Sequence, residues 1–263
     1  MATIQTVLQG YSVSTSEGSI GYCAVTLLRG ERTTLVDVGH VGRRTHLLER
    51  LKAIGLSPGD VDRVVLTHAH WDHCLNLDCF PNAEVLLHAD ELEYTRAPHP
   101  EDWATPVWTA DVLARARVTP IREGDELEPG VRVMATPGHS PGSLTLLVET
   151  PEGAAGLVGD ALPNRAAAGY LAPRLVFWDE DAARRSARRI VDTCRTIFPG
   201  HDRPFRVHNG AFSYVEPTSL EILFAPRDEE GRLLASISDA APADGPLIMP
   251  SARRSAEART GDA

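Results

Sequence analysis

The chain has 263 residues, of which 43% are hydrophobic and 24% charged, enough for one large domain with a core of its own. Its formal net charge of −10 at pH 7 argues against a nucleic-acid partner, because binding to a phosphate backbone depends on Lys and Arg. The sequence shows neither a secretory leader nor an apolar run of about eighteen residues, so we expect a soluble, cytoplasmic protein without a membrane partner.

The first part of the chain is predicted to fold as strand, strand, helix, strand. Residues 24–28 and 33–36 are rich in apolar and β-branched residues and flank a turn, and residues 62–67 form the next apolar segment. A helix closed by Gly55 is predicted before that segment, because four aliphatic residues recur on one face of a helix: Leu47, Leu48, Leu51 and Ile54. This order is typical of a layered α/β protein.

The middle of the chain combines short regular elements with one irregular loop. Residues 74–77 suit a helical turn, and a strand at 84–87 and a helix at 89–94 follow. The segment 96–108 contains three prolines and two tryptophans, which argues against regular structure. Two interpretations of this segment stay open: a surface connection anchored by its indoles, or a loop that covers a substrate.

Strands dominate the second part of the chain. Four are predicted from apolar runs separated by Gly, Pro and acidic turns: 118–121, 131–135, 143–148 and 155–158. A helix at 181–193 follows, and its acidic start favours a helix N-terminus. Further strands are predicted at 196–198 and 220–224.

A change in composition marks the end of the predicted domain, which spans residues 1–225. Past Arg227 the chain loses aromatic residues and gains Asp, Glu, Ala, Ser and Pro. We therefore expect the tail at 226–263 to be weakly ordered or to pack on a partner, such as a second copy of the chain in a homodimer.

Ligand-type side chains follow several of these strands. Three His and one Asp come within six residues after the apolar run 64–66, and three later strands end near a His or an Asp. The seven candidate metal ligands are His68, His70, Asp72, His73, His139, Asp160 and His201. Because α/β sheets present functional groups at the carboxyl ends of strands, we expect these side chains to meet. Imidazole and carboxylate ligands suit two ions of zinc, iron or manganese, since calcium and magnesium prefer oxygen alone.

The other histidines and the cysteines are interpreted as structural residues. A lone histidine is more often hydrogen-bonded than metal-bound, and we apply this to five positions: His40, His46, His88, His99 and His208. The four cysteines form no Cys-x-x-Cys pair, so reduced thiols are expected: Cys23, Cys74, Cys79 and Cys194. Cys74 adjoins the histidine cluster, but we expect it and Trp71 to pack rather than to bind metal.

The order of these motifs resembles the metallo-β-lactamase superfamily. The matching segments are Asp37-x-Gly39, His68-x-His70-x-Asp72-His73, Thr136-Pro137-Gly138-His139, Gly159-Asp160 and Pro199-Gly200-His201. The resemblance implies an α/β fold, a four-layer αββα sandwich of two similar halves with the site along one sheet edge. It also implies three groups of ligands: His68, His70 and His139 on one metal, Asp72, His73 and His201 on the other, and Asp160 bridging the two.

Two such metal ions would make the protein a metal-dependent hydrolase. Zinc is the expected metal, and it lowers the pKa of a bound water so that hydroxide becomes available near neutral pH. The second ion would polarise a substrate carbonyl. Asp72 is then both a ligand and the candidate acid/base for that water.

The expected substrate is a small molecule, a lactone or a similar activated ester or amide, because the pattern is nearest to single-domain metal-dependent lactonases. One position departs from that pattern. Acyl-homoserine lactonases carry a Tyr shortly after the bridging Asp, whereas Asp160 is followed by residues 161–164 without a Tyr, and the nearest is Tyr170. The oxyanion or leaving-group helper is therefore expected to differ, and the substrate with it.

Three alternative functions stay open. Thioester hydrolysis of the glyoxalase II type is weakened because few residues remain after His201 for a glutathione-binding domain. Sulfur dioxygenation at a single iron would leave three of the histidines without a role. A metal-binding scaffold without activity is disfavoured because decay usually removes ligands, and here the ligand set is complete.

Overall fold

The structure is a computed structural model, and it describes residues 1–15, 18–173, 175–217, 227–232 and 247–248. Two β-sheets pack face to face and helices cover the outer face of each, so the predicted four-layer αββα sandwich is confirmed. The predicted strand at 220–224 and most of the 226–263 tail lie outside the described residues.

The chain order is given by the following elements. The first half contains β1 (Thr3–Leu8), β2 (Tyr11–Thr15), β3 (Gly18–Tyr22), β4 (Val25–Arg29), β5 (Thr33–Val36), α1 (Arg44–Ala53), β6 (Arg63–Val65), α2 (Trp71–Cys74), β7 (Glu84–His88), α3 (Ala89–Tyr94), α4 (Thr109–Leu113) and β8 (Arg117–Ile121). The second half contains β9 (Glu126–Glu128), β10 (Val131–Ala135), β11 (Leu144–Thr150), β12 (Gly153–Gly159), α5 (Arg165–Tyr170), β13 (Leu175–Val176), α6 (Glu180–Thr193), β14 (Thr196–Pro199), β15 (Phe205–His208), β16 (Ala211–Tyr214) and β17 (Leu247–Ile248).

The first sheet has the strand order β1-β4-β5-β6-β7-β8. Its first three strands pair antiparallel, and β5 to β8 pair parallel, which requires crossover connections over a face of the sheet. In the crossover between β5 and β6, α1 buries Leu47 and Leu51 completely, as their spacing predicted. Gly55 follows with a φ of +78°, the left-handed conformation that ends a helix at the predicted place.

The second sheet has the strand order β16-β15-β14-β12-β11-β10-β9. Only the β12–β14 pair is parallel among these neighbours, and α5 and α6 lie in the connection between them. Asp179 caps α6 by accepting a hydrogen bond from Ala182 N at 2.8 Å. Ala187 and Ile190 are fully buried on the face of α6 that covers the sheet.

Aliphatic side chains of both sheets fill the layer between them. The first sheet contributes Leu28, Val36, Val65 and Leu86, and the second contributes Val133, Leu146, Val148 and Leu157. Each buried aliphatic side chain contributes about 1.5–3 kcal/mol of transfer free energy. This layer therefore holds the two sheets at a fixed relative position, which matters because the candidate ligands come from both.

Some elements were not predicted from the sequence. These are β1, the β2–β3 hairpin, β9, β13, β15, β16, β17, α4 and α5. The hairpin strands read YSVST and GSIGY, and each has only two apolar residues among Ser, Thr and Gly, so the alternation that marks a strand is weak. The helical turn predicted at 74–77 is wrong in its bounds, because α2 spans Trp71–Cys74 inside the ligand motif and a 3-10 turn follows at Leu77–Cys79. Across the described ranges, no helix is both long and apolar enough to cross a bilayer.

Candidate metal centre

The seven candidate ligands lie at the carboxyl ends of strands, across the seam between the two sheets. Four follow β6 of the first sheet and extend into α2: His68, His70, Asp72 and His73. Three follow β10, β12 and β14 of the second sheet: His139, Asp160 and His201, respectively. The structure therefore brings together every side chain that the motifs singled out.

The ligand atoms form three overlapping groups, each with atoms within 4.8 Å of one another. The groups are His68, His70 and His139; His68, His73 and Asp160; and Asp72, His73 and His201. The carboxylate of Asp160 lies between the others, since Oδ1 is 3.5 Å from His73 Nε2 and Oδ2 is 3.6 Å from His139 Nε2. The same Oδ2 is 3.2 Å from His201 Nε2. Asp160 thus faces both the first and the third group.

Main-chain carbonyls fix two of the imidazole rings from behind. His139 Nδ1 donates to the carbonyl oxygen of Leu175 at 2.7 Å, and His201 Nδ1 donates to that of Tyr11 at 3.3 Å. A carbonyl oxygen only accepts, so Nδ1 of each ring carries a proton. Nε2 of both rings therefore points toward the other candidate ligands.

Asp37 fixes two more rings, one directly and one through Thr67. His73 Nδ1 donates to Asp37 Oδ2 at 2.8 Å, and Thr67 Oγ1 donates to the same oxygen at 2.9 Å. Because the Thr67 hydroxyl already donates its hydrogen to Asp37, it is the acceptor in its 3.1 Å contact with His68 Nδ1. His68 and His73 are thereby held with Nε2 free, and both Nε2 atoms are buried without a hydrogen-bond partner among the described residues.

His70 and His139 face each other through ring nitrogens. His70 Nδ1 is 3.0 Å from His139 Nε2, while His70 Nε2 is 3.7 Å from the carboxylate of Asp102. The His139 nitrogen carries a lone pair, and the carboxylate favours a proton on His70 Nε2, so two lone pairs meet in the neutral state. That arrangement is stable only with a cation, a proton or a metal ion, between the two rings.

Burial and neighbouring charges set the protonation of the cluster. Burial lowers the pKa of His68 well below its usual range and, with the nearby His70, lowers that of His139 to about 4, so both are neutral. Burial opposes the charge on His201, but Asp160 and Asp72 outweigh it and raise its pKa to about 10. Burial likewise opposes the Asp72 carboxylate, but His73 and His201 hold its pKa at about 2. The carboxylates are therefore ionised and require compensating positive charge.

Three buried acids that support the cluster were not predicted as site residues. Asp37 holds His73 and Thr67, Asp102 faces His70, and Glu91 is completely buried behind the ligand segments. Asp37 directly follows a buried strand, and its non-glycine φ of +57° places the carboxylate toward the ligands. An Asp directly after an apolar strand is a pattern that could have identified Asp37 from the sequence. Glu91 lies in a short acidic helix and Asp102 in an irregular loop, and neither position stands out in the sequence.

The loop at 96–108 contacts the site rather than only joining two elements. Its Ala104 carbonyl oxygen accepts from Trp71 N at 3.0 Å, and Trp71 stands between the candidate ligands His70 and Asp72. Trp103 packs edge-on against Phe177, with ring centroids 5.3 Å apart, and Phe177 contacts His70 at 5.0 Å. Trp103 is also 58% exposed, so the loop presents an apolar surface next to the ligands. These contacts favour the substrate-covering interpretation.

Residues interpreted as structural have neighbours that fit that role. Cys74 is completely buried, and burial raises the pKa of its thiol to about 12, which disfavours the thiolate that binds metal. Trp71 packs edge-on against His40 at 5.3 Å, and His40 Nδ1 accepts from Gly42 N. Tyr170, the nearest Tyr after Asp160, is 62% exposed at the end of α5.

A family model described as the metallo-beta-lactamase superfamily matches residues 18–201 of the chain. Among curated proteins, metallo-beta-lactamase domain-containing protein 1 of Xenopus laevis is 33% identical over 212 residues, which cover 78% of this chain and 82% of that protein. An N-acyl homoserine lactonase of Bacillus thuringiensis is 32% identical over 158 residues, which cover 58% of this chain and 60% of that protein.

Solved structures show the same fold. AidC, described as a dizinc quorum-quenching lactonase in complex with an N-hexanoyl-L-homoserine product, superposes with a TM-score of 0.58. The match covers 78% of this chain and 83% of that chain at 18% sequence identity, so it supports the fold alone.

Proposed function

The chain belongs to the metallo-β-lactamase superfamily and is a metallohydrolase, and from that premise we propose that it opens a lactone or cleaves a similar activated ester at two divalent metal ions. The N-acyl homoserine lactonase of Bacillus thuringiensis supports this substrate class, since its similarity spans more than half of the chain. The departure from the lactonase pattern after Asp160 means that the substrate need not be an acyl-homoserine lactone.

One observation carries the proposal: four of the five histidines have one ring nitrogen hydrogen-bonded to a neighbour, the outer nitrogen of His70 lies 3.7 Å from Asp102, and the other nitrogen of each ring faces the cluster. Metal-binding histidines show this arrangement, because the outer contact fixes the ring and raises its basicity. The buried Nε2 atoms of His68 and His73 and the buried Oδ1 of Asp160 have no hydrogen-bond partner within the described ranges. Such atoms would be costly in a site without cations, so the donor set fits divalent metal ions.

The proposed assignment divides the donors between two ions. One would be held by His68, His70 and His139, and the other by Asp72, His73 and His201. Asp160 would bridge them, since its two oxygens face ring nitrogens from both groups. Zinc fits neutral imidazoles with carboxylates, and iron and manganese accept the same donors.

When bound, the ions would supply positive charge that acidifies a water molecule and polarises an ester carbonyl. Within the described residues, both oxygens of Asp160 face imidazole nitrogens, whereas Asp72 faces them through Oδ2 alone, at 3.3 Å from His201 and 3.8 Å from His73. The other carboxylate oxygen of Asp72, Oδ1, therefore faces none of these nitrogens. We assign Asp72 the role of accepting a proton from water and passing it to the leaving group.

Metal analysis and a substrate panel test the function together. The purified protein would be analysed by mass spectrometry for metal content and assayed against lactones, thioesters, β-lactams and phosphodiesters. We expect about two divalent ions per chain and the highest kcat/KM for a lactone or an activated ester. Turnover confined to thioesters or phosphodiesters would contradict the proposed substrate class, and one ion per chain would contradict the dinuclear site.

A further inference from the structure

A cleft of about 300 Å³ opens beside the candidate metal centre. Its walls come from the β1–β2 connection, the start of α5, the segment after β14 and the strand β16. The lining residues used below are Arg165, His201, Asp202 and Tyr214, and Arg203 adjoins them in the chain and contacts Tyr214. His201 is part of the cleft wall and is also a candidate metal ligand, so this residue joins the cleft to the candidate metal centre. The volume suits part of a small molecule.

Two guanidinium groups meet at one aromatic ring in this cleft. Arg165 Cζ lies 5.0 Å and Arg203 Cζ 3.7 Å from the centroid of the Tyr214 ring. Within the described part of the chain, neither guanidinium forms an ion pair, and Arg203 Nη1 donates instead to the main-chain carbonyl of Glu216 at 3.1 Å. The two positive charges are therefore not neutralised by a carboxylate partner.

Among the described residues, the acid in the cleft wall is Asp202, and hydrogen-bond donors other than the two guanidiniums occupy its oxygens. Asp202 Oδ2 accepts from the Tyr214 hydroxyl at 2.9 Å and from the main-chain nitrogen of Arg165 at 3.1 Å. Its Oδ1 accepts from the main-chain nitrogen of Arg203 at 2.8 Å. Asp202 thus fixes the Tyr214 ring and both backbone segments without pairing with either side-chain charge.

Some exposed arginines elsewhere on this acidic protein lie in ion pairs, whereas others, such as Arg188, have none among the described residues. Arg184 lies 2.7 Å from Glu180, Arg189 lies 2.7 Å from Glu123 and Arg206 lies 2.8 Å from Glu152. With a net charge of −10, the chain has more acids than bases available for such pairs. The two guanidiniums at Tyr214 differ from single unpaired arginines because they share one ring of a cleft whose wall includes the candidate ligand His201, and their combined positive charge attracts anions.

We propose that this cleft binds a carboxylate or phosphate group carried by the substrate, and that Arg165 recognises that group while the scissile ester lies at the metal centre. The inference rests on the proposed function, whose substrate class it narrows to anionic esters or lactones. Arg165 is the better donor, because its side chain is exposed and makes no hydrogen bond among the described residues, whereas Arg203 is bound to a carbonyl. A guanidinium binds carboxylate and phosphate oxygens in pairs, which gives direction as well as charge.

A matched set of phenyl esters tests the proposal on the metal-loaded protein. The three substrates are monophenyl succinate, its neutral methyl ester, and phenyl 3-phosphonopropionate. We expect KM for at least one anionic ester to be about tenfold below that of the neutral ester, and Arg165→Gln to raise it about tenfold, because charge-assisted hydrogen bonds are lost. The change should leave kcat, metal content and the kcat/KM of the neutral ester unaltered. Whichever anionic ester is preferred identifies the carboxylate or the phosphate as the recognised group.

The control is Arg188→Gln, which removes an exposed guanidinium from α6, away from the cleft. It should leave all three KM values unchanged. If no ester is turned over, the proposed function fails. Calorimetry with succinate and with inorganic phosphate then tests anion binding in the cleft independently of turnover. Binding of either anion that weakens about tenfold in Arg165→Gln supports the cleft. Equal binding in both proteins, or KM values that do not separate anionic from neutral esters, overturns it.

Discussion

Glu91 Oε1 lies 2.9 Å from the main-chain nitrogen of Ala69, so a completely buried carboxylate on α3 holds the first ligand segment by its backbone. The other oxygen of Glu91 accepts hydrogen bonds from Ser140 Oγ and Gly142 N, both at 2.8 Å. One side chain therefore ties the ligand segment after β6 to the ligand segment after β10.

Replacing this carboxylate by an amide should weaken the site. In Glu91→Gln, one oxygen cannot accept from both sides, so an NH₂ group faces either Ala69 N or the Ser140 and Gly142 donors. We expect the free energy of unfolding to fall by about 1–3 kcal/mol, the cost of an unsatisfied buried group, and metal affinity to fall about tenfold. Urea unfolding and competition with a chelator measure the two quantities.

Glu93→Gln on the same helix is the matched control. Its side chain is 74% exposed and pairs only with Arg96, three residues on. This variant should change the unfolding free energy by less than about 0.5 kcal/mol and leave metal affinity unaltered. Equal behaviour of the two variants would show that the buried carboxylate does not support the ligand segments.

Removing one ligand from each proposed group should separate the two ions. His68→Ala and His201→Ala should each lower metal content from two ions to about one and reduce ester turnover by more than about a hundredfold, since even outer-shell changes cost 10–100-fold. Mass spectrometry and steady-state kinetics measure both effects. His208→Ala, which changes an exposed histidine on β15, should behave as the unmodified protein. Full turnover in both ligand variants would sink the two-metal proposal.

Metal removal should lower the stability of the whole domain. Ions that bind only the folded state stabilise it by about 4 kcal/mol when present at a thousandfold excess over Kd. We therefore expect the urea midpoint to fall after chelation and to recover when zinc is added back. His139→Ala should show a smaller difference between its chelated and zinc-loaded forms, because one ion has lost a ligand. Identical unfolding curves with and without zinc would contradict a metal site in the folded protein.

Two glycines should respond oppositely to alanine. Gly138 has a φ of +137°, and an added Cβ would lie 2.2 Å from the main-chain nitrogen of Ala183. Gly138→Ala should therefore cost about 3 kcal/mol or more and displace His139 from the cluster. Gly169 lies in α5 with no atom within 4 Å of an added Cβ, so Gly169→Ala should stabilise by about 0.5–1 kcal/mol. Thermal unfolding and metal titration test the pair, and a stable, metal-binding Gly138→Ala would refute this packing.

The sequence predicted those features that depend on residues close together in the chain, such as the spacing of apolar residues, a helix cap or a ligand type after a strand. Leu47 and Leu51 recur at helical spacing and are buried, and α6 begins where an acidic cap allows it. Ligand types that directly follow apolar strands, such as His68 and Asp160, were predicted to meet, and the structure brings them together because strand ends share one edge.

Contacts between distant segments could not be predicted in the same way. Glu91 looks like a solvent-facing acid of a short polar helix, and only the tertiary fold places it under Ala69 and Ser140. Contacts between segments far apart in the chain decide the position of Glu91, and no local pattern encodes them. The β2–β3 hairpin is local and was missed for another reason, since its short strands are rich in Ser, Thr and Gly and gain their strand structure from pairing with each other.

The distribution of donors over both sheets has a consequence for how the chain folds. His68 and His201 are separated by about half of the chain, yet both belong to the same cluster. Ions held there would act as a cross-link that closes a very long loop, and the site would exist only after the two halves have docked. Metal uptake would then be the last step of assembly and would report that the sandwich has closed.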